Sequence, residues 1–141
     1  MITMIDAIVW LMLVHDNKIL LQKRALESGL EYGLIGGHVE QHESLKQALV
    51  REVFEESGII IKDSDLSFQY LIDRKLGSAH KAHFIFYASS WEGRPYNKES
   101  DKHMDISWHS LNDLPQELGP LSKLAIQSLT SHQTYSEYGW L

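Results

Sequence analysis

Residues 44–57 constrain this chain more than any other segment, because they read as one amphipathic helix. Leu45, Leu49 and Val53 recur every four residues, and Val50 and Phe54 widen the apolar stripe to what a core-facing helix needs. Ser44 stands where a side chain would cap the first turn, and Gly58 stands where a left-handed C-cap is expected. A one-sided helix must lie on something apolar. The run Ala7-Ile8-Val9-Trp10-Leu11-Met12-Leu13-Val14 supplies it, since an unbroken apolar segment of this length predicts a strand covered on both faces. The run is much shorter than the roughly 20 residues that span a bilayer. Asp6 precedes it in place of a basic leader, so neither a membrane span nor a signal peptide is expected.

Asp16-Asn17 predicts a tight turn into a second strand carrying Ile19-Leu20-Leu21. Residues 25–33 have no clear period and read as loop, followed by a short extended piece entering Gly36-Gly37. Ile59-Ile60-Ile61 reads as a strand, as do 66–74, 80–91 and 104–109. In the second of these, apolar residues fill both alternating sets, which predicts cover on both faces. Pro120 introduces a second helix over Leu121–Leu129, and the tail Tyr135–Trp140 carries no clear pattern. There is no internal repeat and no long linker. The expectation is a single domain over residues 1–141, of α+β class, with helices on the faces of a mixed sheet.

With 43% apolar residues the chain can build one core. It has no cysteine, which excludes disulfides, zinc–thiolate sites and thiol nucleophiles, and fits a cytoplasmic setting. A net charge of −6 argues against coating duplex nucleic acid. It leaves room for a small phosphorylated ligand, because a bound divalent cation reverses the local field.

Glu52, Glu55 and Glu56 are spaced three and four apart and share one helical face. Each like-charge pair costs about 0.2–0.5 kcal/mol on an exposed helix. The helix dipole also disfavours negative charge in the second half. Acidic helix faces are often merely solvated, but a hard divalent cation would turn this conflict into a binding site. Gly36-Gly37 permits close backbone approach, so a carbonyl there can face a cation, or an amide a phosphate, although most such pairs are simple turns.

Together these residues follow one pattern. Gly37, Glu43, Arg51-Glu52-Val53, Glu55-Glu56 and Gly58-Ile59, with their spacing, resemble a complete Nudix box over residues 37–59. Trp108, Leu111 and Asp113-Leu114-Pro115 resemble a later segment of the same family, and Asn97, Glu99, Asp101 and Lys102 the loop before it. The resemblance is to Nudix hydrolases, in particular the short MutT-like members. It implies a mixed sheet sandwiched between helices, with the box as loop–helix–loop. It implies Glu52, Glu55, Glu56 and the Gly36 carbonyl as metal ligands, Mg²⁺ as the cofactor with Mn²⁺ as the alternative, and Glu43 paired with Arg51 to brace the helix. Glu52 is the favoured general base, ahead of Glu55, Glu99 and Asp101.

The reaction implied is attack of water on a phosphorus of a nucleoside diphosphate linked to another group. The first expectation is a nucleoside triphosphate, oxidised ones included, giving a monophosphate and pyrophosphate. Alternatives are a nucleotide sugar, a dinucleoside polyphosphate or a capped RNA end. A regulator that binds nucleotide without cleaving it ranks lower, because every box glutamate is present. Arg24, Asn97 and Glu99 are candidate substrate contacts, and Trp91, Tyr32 and Phe84 candidate stacking residues. The four tryptophans read mainly as core, His38 and His42 as box positions without a necessary ligand role, His80 as surface and His83 as core. Homodimers are common in this fold, but no sequence feature fixes one.

Overall fold

A computed structural model describes all 141 residues. In chain order the elements are β1 (Asp6–His15), β2 (Lys18–Leu26), β3 (Gly29–Gly33), β4 (Ile35–His38), α1 (Leu45–Ser57), a 3-10 turn (Asp63–Asp65), β5 (Ser67–Leu76), β6 (Ala79–Ala88), β7 (Asp105–Ser110), α2 (Pro120–Ser131) and β8 (Tyr135–Tyr138). β1 runs through the middle, as its two apolar faces require. It pairs parallel with β6 and antiparallel with β4, and meets β2 at the hairpin end. The strand path is β3-β2-β1-β6-β5-β8, with β4 added on β1 and β7 on β2.

Side chains alternate across this sheet, so the core divides in two. Val9, Leu11 and Leu13 of β1 face α1 and pack with Ala48, Leu49 and Val53. Met12 faces the other way and packs with Ile72, Ile85 and the α2 residues Leu121, Ala125 and Ile126. A helix of 13 residues is marginal alone in water. Each fully buried aliphatic side chain adds roughly 1.5–3 kcal/mol, so tertiary packing holds α1 in place. Its ends are also well finished. Ser44 accepts from the Gln47 amide while the Gln47 side chain accepts from the Ser44 amide, a capping box. Gly58 closes the helix at φ 75°, donating to the Phe54 carbonyl. On the opposite face, Pro120 starts α2.

The expected mixed sheet with helices on both faces is present. Asp16 and Asn17 both adopt positive φ, 51° and 58°, as a two-residue hairpin turn requires. Two local expectations need correction, and the patternless tail proves to be a strand. Residues 25–33 are not loop: β2 continues to Leu26 and β3 pairs back on it, with Gly29 at φ 128° near the turn. Residues Ile59–Ile61 form no strand, because only Ile60 bridges, to Glu92, while Ile59 and Ile61 fill the core. The tail is ordered as β8, parallel to β5, with Trp140 Nε1 donating to the Asp73 carbonyl. No helix is long and apolar enough to cross a membrane.

Candidate active site

Two bare positions let α1 and β4 meet. Gly36 lies opposite Trp10 and Gly37 opposite Val9. Gly36 has φ 150°, and a Cβ there would collide with the Val9 carbonyl oxygen. At Gly37 a Cβ would sit 2.6 and 2.7 Å from the two carboxylate oxygens of Glu52. Without side chains here, Glu52 rests directly on Gly37, and the Gly36 amide donates to Glu56 Oε1 at 3.2 Å.

Glu56 is the unusual group. It is 2% exposed, and its Oε2 has no hydrogen-bond partner. The nearest basic atom is His103 Nε2 at 3.7 Å. Burial first, and then the negative charge of Glu52, push this carboxyl up to about 9, with Glu99 adding to the effect and the Gly36 hydrogen bond opposing it. Burial likewise holds the His103 imidazole below its ordinary range. A buried acid of this kind binds a proton at neutral pH unless a cation takes its place.

Arg51 organises the remaining acids. Its Nε and Nη2 form a fork on Glu43 at 2.7 and 2.9 Å, Nη1 donates to Glu52 at 2.9 Å and to Glu55 at 3.3 Å, and Nη2 also reaches the His38 carbonyl at 3.1 Å. The Arg51 hydrogen bond holds the Glu43 carboxyl below the usual range, and Glu43 in turn raises the Arg51 guanidinium. One guanidinium therefore ties the loop before α1 to the carboxylate face. As they stand, no three acidic or histidine side chains converge on a single ion-binding point. Glu52 and Glu55 turn toward Arg51, and Glu55 is half exposed. The donor set nonetheless suits a hard cation: it is all oxygen, and Glu56 Oε2 is buried without a partner beside Glu52.

The loop between β6 and β7 closes on this end of the helix. Amides of Tyr96 and Lys98 donate to the carbonyls of Ser57 and Glu56, and the Met104 amide donates to the Lys23 carbonyl. Glu99 and His103 come near Glu56 in this way. Glu99 is engaged by Lys102 at 3.2 Å, while Asp101 is exposed. The Asn97 amide nitrogen donates to the His103 carbonyl at 2.7 Å and so braces the loop, while its Oδ1 has no hydrogen-bond partner.

A cleft of about 370 Å³ opens on the α2 face. Gly36 and Gly37 of β4 line one side and Arg74, Lys81 and His83 of β5 and β6 the other, across Trp10 of β1, with Gln22, Arg24, His38 and His103 also in the lining. It adjoins a hollow of about 140 Å³ that also contains Arg24 and Arg74, at the start of α2. Arg24 lies in this cleft, paired with Glu31 at 3.3 Å. The expected stacking residues are elsewhere. Trp91 packs on His15 and Trp108, Tyr32 on His109, and Phe84 lies in a separate apolar groove. The aromatic in the cleft is Trp10, whose ring lies 4.6 Å from His83. Trp10, Gln22, Arg74, Lys81 and His103 escaped sequence reasoning. The available signal was a basic side chain at alternate positions of otherwise apolar strands.

Comparison with known proteins agrees with the geometry. Residues 4–129 match the family described as the NUDIX domain. The chain is 32% identical over 110 residues, 74% of its length, to an oxidized purine nucleoside triphosphate hydrolase of Danio rerio. It spans 65% of that relative's length, and 50% and 37% of two other curated relatives. It is 31% identical over 100 residues to the 8-oxo-dGTP diphosphatase of Escherichia coli K12, covering 70% of this chain and 76% of that one. The crystal structure of a MutT NUDIX hydrolase from Burkholderia pseudomallei superposes with a TM-score of 0.82 at 28% identity, over 90% of this chain and 99% of that one. With the motif, the sheet order and the matched region in agreement, this chain belongs to the NUDIX family.

Proposed function

We propose that the chain hydrolyses a nucleoside diphosphate linked to another group, nucleoside triphosphates first among them, oxidised ones included. The observation that carries this reading is the buried Glu56 carboxylate. Its free oxygen lies beside Glu52, behind the two glycines that line a cationic cleft. Hydrolases of this family generally use a divalent metal, and we take it here to be Mg²⁺. Glu52, Glu55, Glu56 and the Gly36 carbonyl would hold it. When bound, it neutralises the diphosphate and makes water a stronger acid.

The protein's own groups do the rest. Arg51 tethers Glu52 and Glu55, and Glu43 tethers Arg51, so the two carboxylates need only turn from the guanidinium toward the ion. Glu52, resting on Gly37, is the base that takes the proton of the attacking water. Arg24 offers guanidinium donors to the substrate's phosphate oxygens. The relatives named as hydrolases of oxidised purine triphosphates and of 8-oxo-dGTP support a triphosphate substrate cleaved to a monophosphate and pyrophosphate.

The test is a Mg²⁺-dependent screen over nucleoside triphosphates, nucleotide sugars, dinucleoside polyphosphates and capped RNA, with Glu52→Gln and Glu55→Gln beside wild type. Loss of a general base lowers kcat by roughly 10²–10⁴-fold. Turnover undiminished in both variants would overturn the assignment. Pyrophosphate release marks a triphosphate substrate, whereas two monophosphate fragments mark a nucleotide conjugate. That second reading has one observation in its favour, the cations at the far end of the cleft.

A further inference from the structure

Resting on the hydrolase reading for its substrate, we propose that the far end of the cleft is a subsite for a second oxyanion. This anion is carried by the part of the substrate remote from the diphosphate. Arg74 and Lys81 are direct cross-strand partners in β5 and β6, and both line the cleft. Like charges placed opposite each other on a sheet are destabilising. Lys81 is partly offset by Asp6 at 3.4 Å and Arg24 by Glu31 at 3.3 Å. Arg74 has no such carboxylate, and its Nε is buried without a hydrogen-bond partner.

A second observation is independent of charge. His83 is 2% exposed, lines the same cleft, and has no partner on either ring nitrogen. Gln22 is 3% exposed, and its Oε1 also lacks a partner. Buried polar groups are normally satisfied, so this cluster of open donors and acceptors is shaped for a ligand.

Position separates this subsite from the carboxylates. Gly37 pairs with Val9, Val9 with Phe84, and Lys81 with Arg74, which places β4 and β5 three strand spacings apart. At the usual interstrand distance that is roughly 14 Å between the backbones of β4 and β5, and roughly 10 Å from β4 to β6, which carries Lys81 and His83. A diphosphate held at the carboxylates leaves this side of the cleft to an organic group bearing its own anion. The anion is a phosphate monoester or a carboxylate. Either accepts the forked donors of an arginine.

The test pairs substrates that differ by one oxyanion. ADP-ribose is compared with ADP-ribose 2′-phosphate, GTP with its 3′-phosphate, and UDP-glucose with UDP-glucuronate, which separates phosphate from carboxylate. At least one pair should favour the anionic member by about tenfold in kcat/KM, the effect of one charge-assisted hydrogen bond. Arg74→Gln or Lys81→Gln should erase that preference while sparing the neutral member, whereas Glu52→Gln should lower both alike. Equal kcat/KM within every pair, or equal losses on both members in the two distal variants, overturns the proposal.

A second measurement does not depend on turnover. In EDTA, inorganic phosphate and acetate are titrated while the Arg74 Nε–H and His83 ring resonances are followed by NMR. Saturable shifts with either anion, retained in Glu52→Gln and lost in Lys81→Gln, support the subsite even if no substrate is cleaved. Their absence with both anions counts against it even if hydrolysis is confirmed.

Discussion

Replacing Glu56 with Gln isolates the group on which the site is built. In the folded, metal-free protein its carboxyl titrates at about 9, and in an unfolded chain near 4.5. Between those values the folded form holds one more proton than the unfolded form, so stability falls as pH rises through the window. Each pH step within it costs up to about 1.4 kcal/mol, so from pH 4.5 to neutrality this carboxyl removes ~3 kcal/mol. At this chain length that corresponds to a drop in Tm on the order of 10 °C. Gln cannot ionise, and its amide oxygen can keep the hydrogen bond from the Gly36 amide.

Thermal unfolding of wild type and Glu56→Gln in EDTA, across mildly acidic to mildly alkaline pH, reads the difference directly and cancels the other titrating groups. The wild-type curve should descend more steeply, with the variant more stable at neutral pH. Added Mg²⁺ should then raise wild-type Tm most at the alkaline end, where displacing the proton costs least, and barely move the variant. Parallel curves in EDTA would show that Glu56 ionises as freely when folded as when unfolded, and the reasoning from its burial would be wrong.

Two further outcomes are expected. Gly37→Ala has a backbone that alanine tolerates, but its methyl overlaps the Glu52 carboxylate. The flexible end of Glu52 can move aside, so stability should change little, but the displaced carboxylate should lower kcat while circular dichroism stays native. Unchanged kcat would mean that the position of Glu52 does not matter. Arg51→Lys keeps one charge but cannot fork onto Glu43 while reaching Glu52 and Glu55. It should lower Mg²⁺ affinity or kcat/KM by roughly 10–100-fold, measured by titration against activity. Wild-type values in this variant would reduce Arg51 to a surface ion pair.

The legible parts of the molecule are those where local pattern and final environment agree. The α1 stripe, its Ser44 and Gly58 caps and the Asp16-Asn17 turn are short-range features, and each appears where its chemistry places it. The pairing of Glu43 with Arg51 follows from the motif, and the structure brings the two together. What escaped depends on strand neighbours distant in sequence. Arg74 and Lys81 face each other only because β5 and β6 form a hairpin in that register. Trp10 reads as core from the apolar run around it, and enters the cleft because Gly36, its partner across β4, has no side chain to cover it. Residues 25–33 lack apolar alternation because β3 lies at one end of the strand path, where one side is partly open to water.

Gly36 and Gly37 present bare peptide to both sides: Glu52 of α1 rests on Gly37, and both glycines line the cleft. The residues that seat the helix, Leu49 and Val53 among them, thereby also set how far its acids protrude. Repacking beneath the helix, even by a single methylene, should therefore move the acids of the proposed reaction centre without passing through any loop.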